Sequence, residues 1–150
     1  MKPQIQGANR QDFKLLVPLQ VRWGDVDRLG HVNNVQILRY CEEARVNWME
    51  QLLARSDRAR GEGPILADVH CSFIRQLHWP AQLEIGARAS RIGTSSMTLI
   101  NAVFEQGNPQ PVATARAVMV WFDYKAQRSK PLPENLRQAV RNYEILAPEE

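Results

Sequence analysis

The sequence predicts an α+β domain in which a five-stranded antiparallel sheet wraps around one long central helix. Three observations predict it. Alternating apolar and polar residues, the period of a half-buried strand, recur in separate segments before and after residue 55. A single stretch near residues 35–54 carries the 3.6-residue periodicity of an amphipathic helix. Short turn signals join the later strands, and consecutive strands joined by short turns pair antiparallel. A long helix with an apolar stripe needs a surface to cover, and the sheet is the only candidate.

Taken in order, residues 1–12 are polar and read as a flexible N-terminus. A domain follows over 13–125, then a C-terminal extension with a short helix over 126–150. The first strand alternates through Phe13, Leu15, Val17, Leu19 and Val21. Residues 23–34, WGDVDRLGHVNN, interrupt it with turn and cap residues. The helix runs from Val35 to Ala54, with Ile37, Cys41, Ala44, Trp48 and Leu52 on its apolar side and Asn33 or Asn34 as its N-cap. Ser56–Pro64 is charged and glycine-containing and reads as a loop. Ile65, Ala67, Val69, Cys71 and Phe73 then alternate as a strand. Strands at Ala81–Ile92, Met97–Glu105 and Val112–Tyr124 complete a meander through turns at 93–96 and 107–111, and a helix is expected at Glu134–Asn142.

The bulk properties narrow the function classes. A chain of 150 residues points to one domain, large enough to fold without disulfides or metal staples. A net charge of +3 suits an anionic small ligand. No run of five Lys/Arg marks a nucleic-acid patch. Cys41 and Cys71 match no metal or redox spacing and read as buried free thiols in a reducing compartment. The N-terminus lacks a signal-peptide core, and no apolar run approaches the roughly 20 residues that cross a bilayer. A cytoplasmic location follows as the expectation.

The chemistry concentrates in residues 23–34. The helix start offers unpaired N–H groups and a partial positive charge, able to bind an anion or polarise a carbonyl. Asp25, Asp27 and His31 lie just before it. A carboxylate beside an oxyanion site suffices for hydrolysis of an activated acyl group, as direct nucleophile or as general base on water. Each residue also has a structural role open to it: Asx turns for the aspartates, hydrogen bonding for His31 and capping for Asn34. The spacing makes no zinc motif, and no metal is expected.

Residues 22–45, RWGDVDRLGHVNNVQILRYCEEAR, resemble the acyl-CoA thioesterases of the hotdog fold, nearest to the 4-hydroxybenzoyl-CoA thioesterase-like family with its D-x-D-x-x-G-H-V-N-N pattern. The resemblance extends through 73–97 and 112–123. It implies a hotdog fold and a homodimer or homotetramer with active sites shared between subunits. It implies Asp27 as the catalytic carboxylate, the Asn34 backbone amide as oxyanion donor, and His31 and Asn33 as residues lining or bracing the loop. Arg75, Arg88, Arg91 and the turn residues Thr94, Ser95 and Ser96 are the implied candidates for contacting coenzyme A. The coenzyme belongs to the substrate, so no separate cofactor is expected. A second hotdog group carries its catalytic glutamate on the central helix, which makes Glu42 and Glu43 the rivals of Asp27. The implied reaction is acyl-CoA hydrolysis. The alternatives are hydrolysis of acyl groups on acyl carrier protein, or a non-catalytic acyl-CoA-binding module; a dehydratase fits the pattern less well. Partners expected are small-molecule acyl-CoA and further copies of the chain, with neither nucleic acid nor membrane.

Overall fold

The computed structural model describes residues 5–53 and 61–150. In chain order the elements are β1 (Leu15–Gln20), α1 (Asn34–Leu53), β2 (Glu62–Phe73), β3 (Gln82–Ile92), β4 (Ser96–Glu105), β5 (Ala113–Asp123), β6 (Arg128–Ser129) and α2 (Glu134–Tyr143), with single 3-10 turns at Arg10–Asp12 and Trp23–Asp25. The strands form one antiparallel sheet in the order β1-β3-β4-β5-β2, and the two-residue β6 pairs with β5. α1 packs across β1, β3 and β4 as the central helix. Its 20 residues make it about 30 Å long.

The helix-facing core is continuous. Ile37, Cys41, Ala44, Trp48 and Leu52 of α1 meet Leu83, Ile85, Ala87, Met97, Leu99 and Ala115 of the sheet. A smaller cluster on the other face of the sheet gathers Ala8, Phe13, Ile100, Ala102 and Phe104. Phe13 therefore belongs to the opposite side from Leu15, Val17 and Leu19. Its ring lies where a Cβ at position 86 would stand, at 2.5 Å, so Gly86 is required there by contact rather than by backbone angle. Pro18 sits on the edge strand β1, where its missing N–H breaks no interior ladder.

The structure corrects four sequence expectations. β2 does not continue a meander into β3. The segment 74–81 carries the chain across to the other half of the sheet, and β2 pairs with β5 as the far edge. β2 also begins at Glu62, so Gly63 and Pro64 are strand residues rather than loop. The end of the expected helix at Ala54 and residues 56–60 of the expected loop lie outside the described residues. Third, a bulge between Leu66 and Asp68 splits the alternation read over 65–73. Val69, Cys71 and Phe73 pair with Ala117, Ala115 and Ala113 on the helix side, whereas Ile65 pairs with Val120 on the opposite face. The extra residue of a bulge inverts the face of everything on one side of it. Fourth, Cys71 is only half-buried, while Cys41 is fully buried. Burial pushes the Cys41 thiol up to about 12, so it supplies no thiolate at neutral pH.

The C-terminal helix joins the core through Leu136 and Val140. At its end Glu144 accepts from the Trp48 indole N–H and the Ala89 N–H, both at 2.8 Å, through one oxygen. Its other oxygen is buried without a partner. Burial raises this carboxyl above its ordinary value, outweighing those two bonds and the charges of Arg88 and Lys14. A raised folded-state value means stability fully present below about 4.5 and lost as pH rises through the folded value. Glu144→Gln keeps the accepting oxygen and removes the buried charge. It is expected to be more stable than the parent at pH 7 and to gain nothing at pH 4. Thermal unfolding at both pH values checks this, and a variant no more stable relative to the parent at pH 7 than at pH 4 contradicts it.

Candidate active site

The loop ahead of α1 is held on both sides. Val26 and Val32 form an isolated antiparallel bridge, the Asp27 N–H donates to the His31 carbonyl at 2.9 Å, and the Gly30 N–H donates to the Asp27 carbonyl at 3.1 Å. Gly30 closes this turn at φ +84°, where a side chain would be strained. The Val32 N–H donates to the Leu77 carbonyl at 2.8 Å, which ties the loop to the crossing segment 74–81. The Asn33 N–H donates to the Asp25 carbonyl at 3.0 Å.

Asp25 is the internal strut of this loop. It is only 3% exposed and accepts from the Tyr40 hydroxyl at 2.6 Å and from the Arg22 N–H at 3.0 Å, with the Arg22 guanidinium at 3.3 Å. Burial alone would raise its carboxyl. The Tyr40 and Arg22 contacts outweigh burial and hold it below the usual carboxylate range. Burial and then the Asp25 charge push the Tyr40 hydroxyl well up, so it stays protonated and donates.

Asp27 has a different environment. Its Oδ1 accepts from the Leu29 N–H at 2.8 Å in an Asx turn, and no protein donor among the described residues reaches Oδ2. At the helix start Asn33 is the cap: its Oδ1 accepts from the Val35 N–H at 2.9 Å, and its carbonyl accepts from Gln36 and Ile37. Capping by Asn33 uses the second N–H of the helix and leaves the first, that of Asn34, without a protein acceptor among the described residues. Asp27, His31, Asn34, Ile37, Phe73 and Arg75 line one cavity of about 330 Å³. The His31 ring packs edge-on to His78, centroids 5.2 Å apart, and His78 Nδ1 lies 3.3 Å from the Gly30 carbonyl.

The remaining candidates divide. Arg75 reaches the Asp27 cavity and pairs with Glu105 at 2.6 Å. Arg88 does not: it is buried, and its Nε donates to the Gly7 carbonyl at 2.7 Å, pinning the N-terminal segment to the sheet. Arg91 and the turn at Thr94, Ser95 and Ser96 close the far end of β3, whereas Asp27 lies by its beginning, where Val21 bonds to Ala81. Eleven strand residues separate those ends by about 35 Å within one protomer. Neither Glu42 nor Glu43 lines the Asp27 cavity. Glu42 pairs with Arg39 at 2.9 Å and opens on a second cavity, and Glu43 is exposed. Tyr40 and Arg45 of α1 are buried as well, at positions the periodicity had not assigned to the apolar side. The signal for Tyr40 was available, since a buried aspartate fifteen residues upstream needs a donor.

The thioesterase-like superfamily matches residues 21–140. A 1,4-dihydroxy-2-naphthoyl-CoA hydrolase of Synechococcus elongatus is 30% identical over 121 residues, covering 78% of this chain and 88% of that protein. The chloroplastic acyl-acyl carrier protein thioesterase ATL3 of Arabidopsis thaliana is 27% identical over 123 residues, covering 81% of this chain and 64% of its own longer one. The crystal structure of a Thermus thermophilus thioesterase in complex with coenzyme A and zinc is 29% identical with a TM-score of 0.77, covering 89% of this chain and 96% of that one. The matched region takes in the loop, α1 and the strands β2 to β5, with the architecture described above. The chain therefore belongs to the thioesterase-like superfamily, as a thioester hydrolase of the hotdog fold.

Proposed function

We propose that the protein hydrolyses acyl-CoA thioesters, with Asp27 as nucleophile or general base and the Asn34 backbone amide as oxyanion donor. One observation carries this reading: Asp27 and Asn34 line the same cavity, and the Asp27 Oδ2 and the Asn34 N–H have no protein partner among the described residues. In the general-base form, Asp27 takes a proton from water as its oxygen bonds to the thioester carbon. The carbonyl oxygen becomes negative against the Asn34 N–H and the positive end of α1. Collapse expels the thiolate, which takes up a proton, and leaves the free acid. In the nucleophilic form, an Asp27 oxygen bonds to the same carbon, the C–S bond breaks to release the thiolate, and water then cleaves the anhydride to the free acid and the regenerated Asp27 carboxylate. His31 lines the cavity without an assigned chemical step, and the coenzyme A of the substrate is the only cofactor the scheme needs.

Arg75 lines the Asp27 cavity and suits the anionic coenzyme. Arg91 and Thr94–Ser96 reach an Asp27 only if that Asp27 belongs to another copy of the chain. β2 supports such a dimer: it is an edge strand with Leu66 45% and Val69 40% exposed, and it presents a free row of backbone groups. Pairing of two β2 edges makes one continuous sheet and brings a second subunit to the cavity by Phe73. Among the described residues no helix is long and apolar enough to cross a membrane.

A thiol reagent following release of coenzyme A from short-chain, long-chain and aromatic acyl-CoAs tests the reaction. Hydrolysis of at least one class is expected, and none across all three contradicts it. The plant relative named for acyl carrier protein favours a second carrier, read by giving the same acyl group on each. Light scattering on the same preparation checks the dimer, which a monomer at assay concentration contradicts.

A further inference from the structure

A second cavity, of about 320 Å³, lies along α1 beyond the Asp27 site. Its walls are largely apolar, among them Val46, Met49, Leu53, Leu66 and Met119. Glu42, Glu50 and Arg45 line it as well, and of these three only Arg45 is buried. Arg45 is only 6% exposed, yet its one hydrogen bond among the described residues is to the neutral Asn101 Oδ1, at 3.2 Å. Asn101 is itself fully buried and spends its amide N–H on the Gly86 carbonyl. No carboxylate among the described residues lies within ion-pair distance of Arg45. Glu42, on the same cavity, is held by Arg39, and Glu50 is otherwise engaged. A guanidinium carries five N–H donors, and a buried cation without a counter-group is costly. Arg45 itself lines the cavity, which gives its remaining N–H donors a place to meet a ligand. Burial also pulls the guanidinium below its ordinary value, which an anionic or oxygen-bearing ligand would reverse.

The two cavities lie along the same two elements, α1 and β2, with no lining residue in common. Phe73 lines the first and Leu66 the second, both on the helix side of β2. On α1, Asn34 and Arg45 stand eleven residues apart, about 16 Å along the axis. We infer that the second cavity receives the far end of the acyl chain, and that Arg45, braced by Asn101, selects acyl groups carrying an oxygen acceptor there, a terminal carboxylate or hydroxyl, over plain hydrocarbon chains. This rests on the thioesterase reading of the Asp27 cavity. Arg45 touches the tail of the substrate and is a specificity residue, remote from the reacting carbon.

The test compares octanoyl-, dodecanoyl- and hexadecanoyl-CoA, each with its ω-hydroxy and ω-carboxy counterparts. At the length that reaches Arg45, an oxygenated chain is expected to exceed its plain partner in kcat/KM by about tenfold or more. Arg45→Met is expected to erase that preference, bringing the ratio of oxygenated to plain kcat/KM to about one. Plain chains equal or better at every length with the unmodified protein overturn the inference, whatever the variant does. If no acyl-CoA is hydrolysed, the catalytic reading fails by itself. Displacement of a fluorescent fatty-acid probe by hexadecanedioate against palmitate then decides this inference: preference for the diacid, lost in Arg45→Met, supports it, and equal displacement overturns it.

Discussion

Asp27→Asn is expected to remove thioester hydrolysis, with kcat/KM falling at least about 10²–10⁴-fold, the range contributed by a positioned general base. The fold is expected to survive. An asparagine retains an oxygen for the Leu29 N–H, and the turn is set independently by Gly30 and the His31 carbonyl. What it lacks is the basic lone pair and charge at Oδ2. The experiment pairs steady-state rates with thermal unfolding, so that loss of activity is separated from loss of structure. Glu42→Gln and Glu43→Gln belong beside it and are expected to retain activity, because neither glutamate lines the Asp27 cavity. Full activity in Asp27→Asn, or its loss in either glutamate variant, moves the chemistry to the helix.

Asp25→Ala is expected to damage stability and activity together. Removing the carboxylate leaves the Tyr40 hydroxyl buried without an acceptor and frees the Arg22 N–H, at a cost of about 2–3 kcal/mol. For a chain of 150 residues this lowers Tm by roughly 5–10 °C. Activity falls as well, because Asp25 anchors the backbone on which both Asp27 and the Asn33 cap are mounted. The pH dependence gives a second signature. The Asp25 value is depressed in the fold, so its charged form contributes stability above the ordinary 3.8, and that contribution is lost as pH falls through the lower folded value. Asp25→Asn is expected to lose less than Asp25→Ala at neutral pH and to be less sensitive to acid than the parent below pH 4. Urea unfolding of the three proteins at pH 3 and pH 7 checks this. Equal acid sensitivity in Asp25→Asn and the parent contradicts the strut role.

The comparison of loop and sheet shows where sequence reasoning succeeds. The sequence 23–34 is local: turn glycines, an Asx turn and a helix cap act over two to four residues, so the candidate loop and the start of α1 were legible. The partners of that loop were not. Tyr40 meets Asp25 across fifteen residues and Arg45 meets Asn101 across fifty-six, and no periodicity encodes which polar helix residue turns inward. The bulge at Leu66–Asp68 was hidden for a related reason. Alternation shows that a segment is a strand, but one inserted residue preserves the appearance while reversing the face.

By itself, then, the sequence determined the element types, the capped helix and the D-x-D loop, because each depends on short-range sterics and hydrogen bonding between near neighbours. Tertiary structure alone decided that β2 leaves β3 and becomes the far edge beside β5, that Arg88 serves the N-terminal segment, and that Arg45 is buried against Asn101 beside the second cavity. Those outcomes follow from which surfaces pack together, and packing is settled by the whole chain at once, through burial and the pairing of polar groups over long separations.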